Sequence, residues 1–189
     1  MHLTLIRHGE SIWNVMKKVQ GQADPPLTEA GILQAQELAE KLAPVFSKYA
    51  AMYTSERQRA RKVAEIITSY HPVPLIADSR LNSRSLGVFS GLTLDEIHNQ
   101  YPILHEKWLN QDPTFIPPEG KSTKWLVIQT KSFLASLSEQ YLSSDDTHIL
   151  IITHRENIGA IHYLLTGKLM DDPLGKIPNC TPLEYTLKP

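Results

Sequence analysis

Near its start the sequence reads Leu3-Thr-Leu-Ile-Arg-His-Gly-Glu-Ser11, and this stretch is the most informative of the chain. It begins as a mostly apolar run suited to a buried strand and breaks into Arg7, His8 and Gly9 where such a strand would end. In an open α/β sheet, ligands bind at the carboxyl ends of the strands, beside the N-termini of the helices that follow. The stretch therefore predicts a first strand that brings an arginine and a histidine to a ligand site.

The residues at this predicted strand end suit an anionic ligand. Arg7 carries a permanent positive charge, and its planar guanidinium matches the geometry of a phosphate. His8 is the side chain here best able to act as a nucleophile near neutral pH. Gly9 lets the backbone come close to a ligand. A motif this short also fits an ordinary strand end with an incidental histidine, so the rest of the chain has to decide between the two interpretations.

The composition favours a single globular domain. The chain has 189 residues, 41% of them hydrophobic, and a net charge of -1, which favours one domain over 1–189 and argues against nucleic-acid binding. The first apolar run ends at Arg7, which is too short for a signal peptide, so we expect none. No apolar run in the sequence is long enough to span a bilayer, so we expect no membrane partner. The single cysteine, Cys180, fits a reducing compartment and a cytoplasmic location. No Cys/His cluster has metal-ligand spacing, so we expect no metal.

Apolar periodicity predicts that helices and strands alternate along the chain. Thr147–Thr153 is the most strand-like run, and His154 lies just past its end. Ala50–Thr54 is a second strand candidate, followed by a helix that opens with Arg57 and Arg59. The alternation predicts an α/β three-layer sandwich with a mainly parallel central sheet flanked by helices. Other predicted elements are helices over 11–19, 28–43, 122–141 and 155–167, and strands over 74–77 and 183–187. Thr93 and Glu96 form a capping box that predicts a further short helix. A cover segment is expected over about 87–125, irregular over 102–121, which is rich in aromatics and in prolines such as Pro102.

Three predicted strand ends thus carry cationic or nucleophilic side chains. If these strands are neighbours, two histidines and at least two arginines converge on one point. Such a set suits phosphoryl transfer, because guanidinium groups hold the equatorial oxygens and offset the charge that builds there. One histidine would attack phosphorus, a second would donate a hydrogen bond to a transferring oxygen, and no metal would be needed.

The motifs that carry this chemistry resemble the signature of the histidine phosphatase superfamily, which includes cofactor-dependent phosphoglycerate mutases. The first block is Arg7-His8-Gly9-Glu10-Ser11, with Asn14 six residues after the histidine. The blocks keep the family's order and span nearly the whole chain. The others are Gly21-x-x-Asp24-x-Pro26-Leu27-Thr28-x-x-Gly31-x-x-Gln34-Ala35, Ser55-x-x-x-Arg59-Ala60, 81–91, Ile151-Ile152-Thr153-His154 and Asn179-Cys180.

The resemblance implies a phosphoglycerate mutase-like fold and a phosphohistidine intermediate on His8. It implies a small phosphorylated metabolite as substrate and no cofactor, and it leaves the oligomeric state open. Catalytic roles would fall to His8, Arg7, Arg59 and His154, and substrate contacts to Asn14, Gln20 and Gly21, with Arg57 an additional candidate.

Three positions depart from the family pattern. Ser83 stands where the family usually has a glutamate that acts as general acid and then as base, and a hydroxyl cannot replace a tuned carboxyl. Arg155 and Glu156 follow His154 where the family commonly has glycines. Arg155 could add a phosphate contact and Glu156 is a candidate proton donor, or the two could form a solvated pair at a helix start. Lys121 stands where the family often has glutamate.

We therefore expect a metal-free phosphatase that hydrolyses small phosphomonoesters, whose activity Ser83 would impair because the usual acid is absent. One alternative is a phosphoglycerate mutase, although the family's mutases have a longer insertion than 87–153 allows. The other is a phospho-ligand binding protein that has lost catalytic activity, and Ser83, in place of the acid, would be the sign of that loss.

Overall fold

A computed structural model describes residues 1–110, 112, 114–141, 146–170 and 177–187. Within these residues the strands form one five-stranded sheet in the order β3-β2-β4-β1-β5. The sheet is mainly parallel, as predicted, because β1, β4, β2 and β3 run in one direction and β5 alone is antiparallel to β1. The strands are β1 (His2–Arg7), β2 (Tyr49–Thr54), β3 (Leu75–Ala77), β4 (His148–Thr153) and β5 (Pro182–Thr186).

Side chains of the central strands alternate between two helical layers, because successive residues of a strand point to opposite faces. On β4, Leu150 and Ile152 pack with one layer, whereas Ile149 and Ile151 pack with the other. The first layer contains α2 and α3 and the second contains α6 and α7, which confirms the three-layer prediction. The helices are α1 (Ile12–Val15), α2 (Glu29–Leu42), α3 (Gln58–Tyr70), α4 (Leu94–Gln100), α5 (Pro102–Leu109), α6 (Thr123–Gln140) and α7 (Arg155–Thr166).

The cover segment is more regular than its composition predicts. Pro102 occupies the first turn of α5, where a missing N–H costs nothing, so the prediction of irregular chain throughout 102–121 is wrong. Phe89, Trp108 and Phe115 stack on one another, with ring centroids 5.8 to 6.0 Å apart. These aromatic rings form a small core of their own above the main sheet.

The first helix is shorter than predicted, because α1 ends at Val15 and Lys17 adopts a left-handed backbone with φ of 54°. The chain therefore turns back early and takes 17–21 toward the carboxyl edge of the sheet. Within the residues that the structure describes, no helix is both long enough and apolar enough to cross a membrane.

Gly9 and Gly31 let the loop after β1 lie against the start of α2. A Cβ on Gly31 would come within 2.1 Å of the Glu10 carbonyl oxygen, and one on Gly9 within 2.6 Å of the Gly31 carbonyl oxygen. A side chain at either position would therefore push the loop away from the helix and displace the strand end that carries Arg7 and His8.

Candidate active site

The sheet order brings the three predicted strand ends together. β4 lies between β2 and β1, so the carboxyl ends of all three meet at one edge. Arg7 is the registered partner of Thr153, and the backbone N–H of His8 donates to the Thr153 carbonyl oxygen at 3.0 Å. A cleft of about 220 Å³ opens at this edge. Its lining includes every predicted catalytic or substrate-contacting side chain except Arg57, namely Arg7, His8, Asn14, Gln20, Gly21, Arg59, Ser83, His154, Arg155 and Glu156.

His8 is held as a neutral imidazole whose Nε2 lone pair accepts one long hydrogen bond. Its Nδ1 lies 2.8 Å from the Gly9 carbonyl oxygen, which can only accept, so Nδ1 carries the proton. The Arg59 Nε–H donates to Nε2 of His8 at 3.3 Å. Burial, followed by the charges of Arg59 and Arg7, lowers the pKa of His8 well below its ordinary value. The ring is therefore neutral at neutral pH, and Nε2 has the lone pair that a nucleophile needs once the hydrogen bond from Arg59 gives way.

Arg59 is a fully buried cation on the first turn of α3. It donates from Nη1 to the Ala23 carbonyl oxygen at 2.6 Å and from Nη2 to the Gly21 carbonyl oxygen at 3.0 Å. Burial lowers the pKa of Arg59 to about 10, which still leaves it charged at neutral pH. These bonds fix the guanidinium beside His8 and tie the loop 21–24 to the cleft.

Arg7 is anchored by the chain that leads into β5. Its Nη1 donates to the Ile177 carbonyl oxygen at 2.8 Å, and its own carbonyl oxygen accepts from the Cys180 N–H at 2.9 Å. Asn179 Nδ2 donates to the His8 carbonyl oxygen at 2.6 Å. Burial, then the charge of Arg155, lowers the pKa of Arg7 to about 10. The Asn179-Cys180 motif thus acts by holding the end of β1 in place.

His154 faces His8 across the cleft, with ring centroids 5.3 Å apart. The Nε2 atom of His154 lies 2.8 Å from Ser55 Oγ. The single hydroxyl proton of Ser55 is donated to Asn82 Oδ1, also at 2.8 Å. Asn82 Nδ2 donates to a Glu56 carboxylate oxygen at 2.9 Å, which fixes the orientation of the amide. Ser55 Oγ must therefore accept from His154, and Nε2 of that ring carries a proton.

The remaining nitrogen of His154, Nδ1, is buried and finds no hydrogen-bond partner among the described residues. Burial first, and then the nearby positive charges of which Arg59 is the largest, lower the pKa of His154 well below its ordinary value. Nδ1 of His154 is therefore the ring nitrogen that could form a hydrogen bond with a bound group. The relay through Ser55 and Asn82 was not predicted from the sequence, although Ser55 stands at the head of the Arg59 motif.

The entrance of the cleft is built from the loop after α1. Asn14 Oδ1 accepts from the Ser11 N–H at 3.0 Å, and Gln20 Nε2 donates to Ser11 Oγ at 2.8 Å. Gln20 Oε1 is buried with no partner in the described part of the chain, and as an acceptor it could pair only with a donor group of a ligand. Lys17 and Lys18, which belong to none of the sequence motifs, also line this entrance.

Glu156 forms an ion pair with Arg84, and the charge of Arg155 also acts on its carboxylate. Arg84 Nη2 donates to Glu156 Oε1 at 2.9 Å, and its Nε lies 3.2 Å from each carboxylate oxygen. Burial alone would raise the pKa of Glu156, but the facing guanidinium overrides it and lowers the pKa below its ordinary value. The alternative of a solvated Arg155–Glu156 pair is therefore replaced by an inward-facing ion pair.

Ser83 is buried at the cleft wall next to Arg84, in the place that the resemblance assigns to the usual glutamate. Two other sequence candidates lie outside the lining. Arg57 caps the start of α3 and donates to the Gln22 carbonyl oxygen at 3.3 Å. Lys121 has an exposed side chain, and its carbonyl oxygen accepts from Arg84 Nη1 at 2.7 Å.

Comparison with known proteins finds relatives that match this chain in sequence and fold over nearly its whole length. The 2,3-bisphosphoglycerate-dependent phosphoglycerate mutase of Bartonella tribocorum is 30% identical over 191 residues, which cover 99% of this chain and 92% of that protein. Bacillus stearothermophilus YhfR superposes with a TM-score of 0.85 at 29% identity, covering 99% of this chain and 91% of that one. A mycobacterial glucosyl-3-phosphoglycerate phosphatase, solved with VO3, gives 0.85 at 26% identity, with 97% and 91% covered.

A family model settles the membership, because it matches nearly the whole chain and includes every element that forms the cleft. The match runs over residues 3–185, and the chain belongs to the histidine phosphatase superfamily, branch 1.

Proposed function

We propose that this protein is a metal-free phosphatase that hydrolyses small phosphomonoesters through a phosphohistidine on His8. The observation that carries the proposal is the state of His8: Nδ1–H is tied to the Gly9 carbonyl oxygen, and the Nε2 lone pair lies beside the Arg59 guanidinium. A buried imidazole held in one tautomer next to cations suits attack on an electron-rich phosphoryl group.

The reaction has two displacements. His8 Nε2 bonds to phosphorus as the bond from phosphorus to the ester oxygen breaks, and the leaving oxygen takes a proton to become an alcohol. Water then bonds to phosphorus as the bond from phosphorus to Nε2 breaks, which releases inorganic phosphate and a proton. Arg7 and Arg59 offset the charge on the equatorial oxygens in both steps.

His154 would bind the phosphoryl group through Nδ1. A phosphate dianion beside the ring favours the imidazolium form, because an opposite charge at short range raises the pKa of a histidine. The protonated Nδ1 then donates to a phosphoryl oxygen, while Nε2–H stays on Ser55 Oγ. Asn14 and Gln20 would contact the same phosphate from the entrance by donating from their side-chain amide N–H groups. A small phosphorylated metabolite in the cytoplasm is the expected partner.

Among the residues that the structure describes, the site has no efficient proton donor for the leaving oxygen. Ser83 has no group with a suitable pKa, and Glu156 is held as a carboxylate by Arg84, so neither is a ready acid at neutral pH. We propose that water reaches the leaving oxygen near Ser83. General acid catalysis is worth about 10²–10⁴-fold, so the expected turnover is slow.

A phosphoglycerate mutase is the second candidate, favoured by the 30% identical relative that bears that name. A mutase has to retain the phosphoryl group while its intermediate turns over in the site, which requires exclusion of water. A binding protein without turnover is the third, favoured by Ser83. Both bind the same phosphorylated ligands and differ from a phosphatase in the fate of the phosphoryl group.

One experiment separates the three. The protein is treated with a chelator and assayed against a panel of phosphomonoesters, beside a His8→Ala variant and with a radiolabelled phosphoryl donor. A phosphatase releases inorganic phosphate and carries an acid-labile, base-stable label that the variant lacks. Label that moves to a second hydroxyl of the substrate instead of to water supports the mutase, and ligand binding without label or product supports the binding protein.

A further inference from the structure

Three metal-ligating side chains meet at the end of the sheet opposite the cleft. His2 opens β1 and His148 opens β4, and the two are registered partners on neighbouring parallel strands. Asp146 lies two residues before His148. Strands of six residues separate this group from Arg7 and Thr153, a distance of about 17 Å at about 3.3 Å per residue. The group therefore lies outside the catalytic cleft.

The two imidazole rings are stacked, with centroids 4.5 Å apart and planes inclined by 18°. Asp146 Oδ1 lies 3.6 Å from His148 Nε2 and 3.9 Å from His2 Nε2. Such an arrangement places one carboxylate oxygen and two ring nitrogens around a common point. The three ligand atoms lie within 4.8 Å of one another, the one such group among the described residues.

These separations fit a small divalent ion. Two ligand atoms bound at about 2.0–2.1 Å in a tetrahedron are roughly 3.3 Å apart, from the tetrahedral angle and those bond lengths. The two distances to Asp146 exceed that value by a few tenths of an ångström. The His2 and Asp146 side chains are 40% and 93% exposed, so they are free to close the remaining gap, whereas β-sheet pairing holds both histidine backbones.

The donor types also suit a metal. A neutral imidazole offers a nitrogen lone pair to a metal ion, and two such rings lie side by side here. The Asp146 carboxylate supplies the negative charge that the ion requires.

We propose that His2, His148 and Asp146 form a binding site for a zinc-type divalent cation, with water completing a tetrahedral shell. Two imidazoles and one carboxylate are the donor set that Zn²⁺ takes with an open fourth position. The ion would join the starts of β1 and β4, two central neighbours of the sheet, and so stabilise the fold rather than take part in the reaction. The chain positions 2, 146 and 148 carry no spacing signal, because only the pairing of β1 with β4 brings them together.

The test is the effect of ZnCl₂ on the melting temperature of the chelator-treated, full-length protein. A ligand at a hundredfold excess over its dissociation constant raises the melting temperature of a domain of this size by roughly 5–10 °C. Calorimetric titration should give one ion per chain for this site, and cobalt substitution should give the visible bands of a tetrahedral N/O shell.

Asp146→Asn is the decisive variant, because its side chain is 93% exposed and its loss does not threaten folding. We expect zinc affinity to fall by more than about 100-fold, a larger loss than outer-shell changes cause, and the stabilisation to vanish. His148→Gln should do the same. The matched control is His98→Gln/His105→Gln, a second ring pair with centroids 5.2 Å apart, which should keep the full zinc effect.

Two results would overturn the proposal. One is a wild-type protein whose melting temperature zinc does not raise. The other is equal stabilisation of wild type and Asp146→Asn, which would assign the ion to other ligands such as the cleft histidines. Neither result bears on the proposed phosphatase, because that reaction is assayed with the chelator present.

Discussion

Arg84 and Glu156, 72 positions apart in the chain, form an ion pair in the wall of the cleft, with Arg84 Nη2 and Glu156 Oε1 2.9 Å apart. Arg84 is 1% exposed and Glu156 17%. Arg84 also donates to the Lys121 carbonyl oxygen and stacks over Phe115 at 5.6 Å. This arginine therefore links the loop after β3, the start of α7 and the cover segment, and Glu156 balances its charge.

We expect Glu156→Gln to destabilise the fold by about 2 kcal/mol at pH 7. The variant leaves Arg84 buried without a counter-charge, and the amide oxygen restores only part of the lost hydrogen bonding. Chemical denaturation of both proteins measures the difference. Glu156→Ala should cost more, because the amide's acceptor is then lost as well.

The same variant should change the pH dependence of stability. The pKa of Glu156 is lowered in the folded state from an ordinary 4.5, so the unfolded chain binds its proton first as pH falls. Its contribution is fully present above about pH 4.5 and is lost as pH falls through the lower folded value. The stability gap between wild type and Glu156→Gln should therefore be constant from pH 7 to 5 and shrink below. A gap that narrows already near pH 6 would contradict the ion pair.

His8 should remain neutral well below pH 6.5. Burial and the charges of Arg59 and Arg7 lower its pKa, so histidine NMR of the free protein should show no His8 titration between pH 7.5 and 6. Arg59→Gln removes the larger of the two charges and should raise that pKa, while burial still keeps it below the ordinary value. The His8→Ala spectrum assigns the signal. A wild-type midpoint near 6.5 would contradict the neutral nucleophile.

The fold and the four central site residues were within reach of sequence reasoning. The apolar runs of β1 and β4 end abruptly at polar residues. The sequence alone therefore predicts that Arg7, His8 and His154 lie at the carboxyl ends of these strands. Contacts between distant side chains were not visible. The partner of Glu156 depends on how the loop carrying Arg84 folds over α7, and the pairing of His2 with His148 depends on strand order.

Local sequence rules were also misleading in one place. The prolines of 102–121 predict irregular chain, but a proline at the first turn of a helix is favourable, and α5 begins at Pro102. The capping box of Thr93 and Glu96, which has both side-chain bonds in place, shows the opposite case. There the signal consists of neighbouring residues alone, so the prediction of a short helix was confirmed.

Ser55 should act on catalysis through His154. Ser55→Ala removes the acceptor of the Nε2 proton, which frees the ring to change tautomer and leaves a buried donor unpaired at a cost of about 1–3 kcal/mol. We expect a lower kcat with little change in KM, and a change in the nitrogen NMR signature of His154. Ser55→Thr, which keeps the hydroxyl, should restore both.

The control for Ser55 is Thr54→Ala. This change removes a buried hydroxyl one position earlier, whose Oγ1 donates to the Ser55 carbonyl oxygen at 3.2 Å and does not touch His154. It should lower stability but leave the His154 signature intact. Equal loss of kcat in both variants would mean that Ser55 acts only through the packing of this corner.

Ser83 is the position at which the three candidate functions differ most. Ser83→Glu places a carboxyl beside the leaving oxygen, where its protonated form can act as general acid. If the absent acid limits the rate, kcat should rise by about 10²-fold, because the gain arises in the transition state. KM should stay the same or rise slightly, since a new carboxylate faces a phosphate dianion. Steady-state kinetics on the best substrate of the panel measures both values.

Ser83→Gln is the matched control, because it has the size of the glutamate without the proton, and it should give no gain. If Ser83→Glu leaves kcat unchanged and Glu156→Gln loses most of the activity, Glu156 is the general acid despite its ion pair. That result would contradict the proposed role of water. If no variant turns over and phosphorylated ligands still bind, the protein is a binding module. A rise in kcat for Ser83→Glu but not for Ser83→Gln would support a phosphatase whose turnover is slow because one carboxyl group is missing.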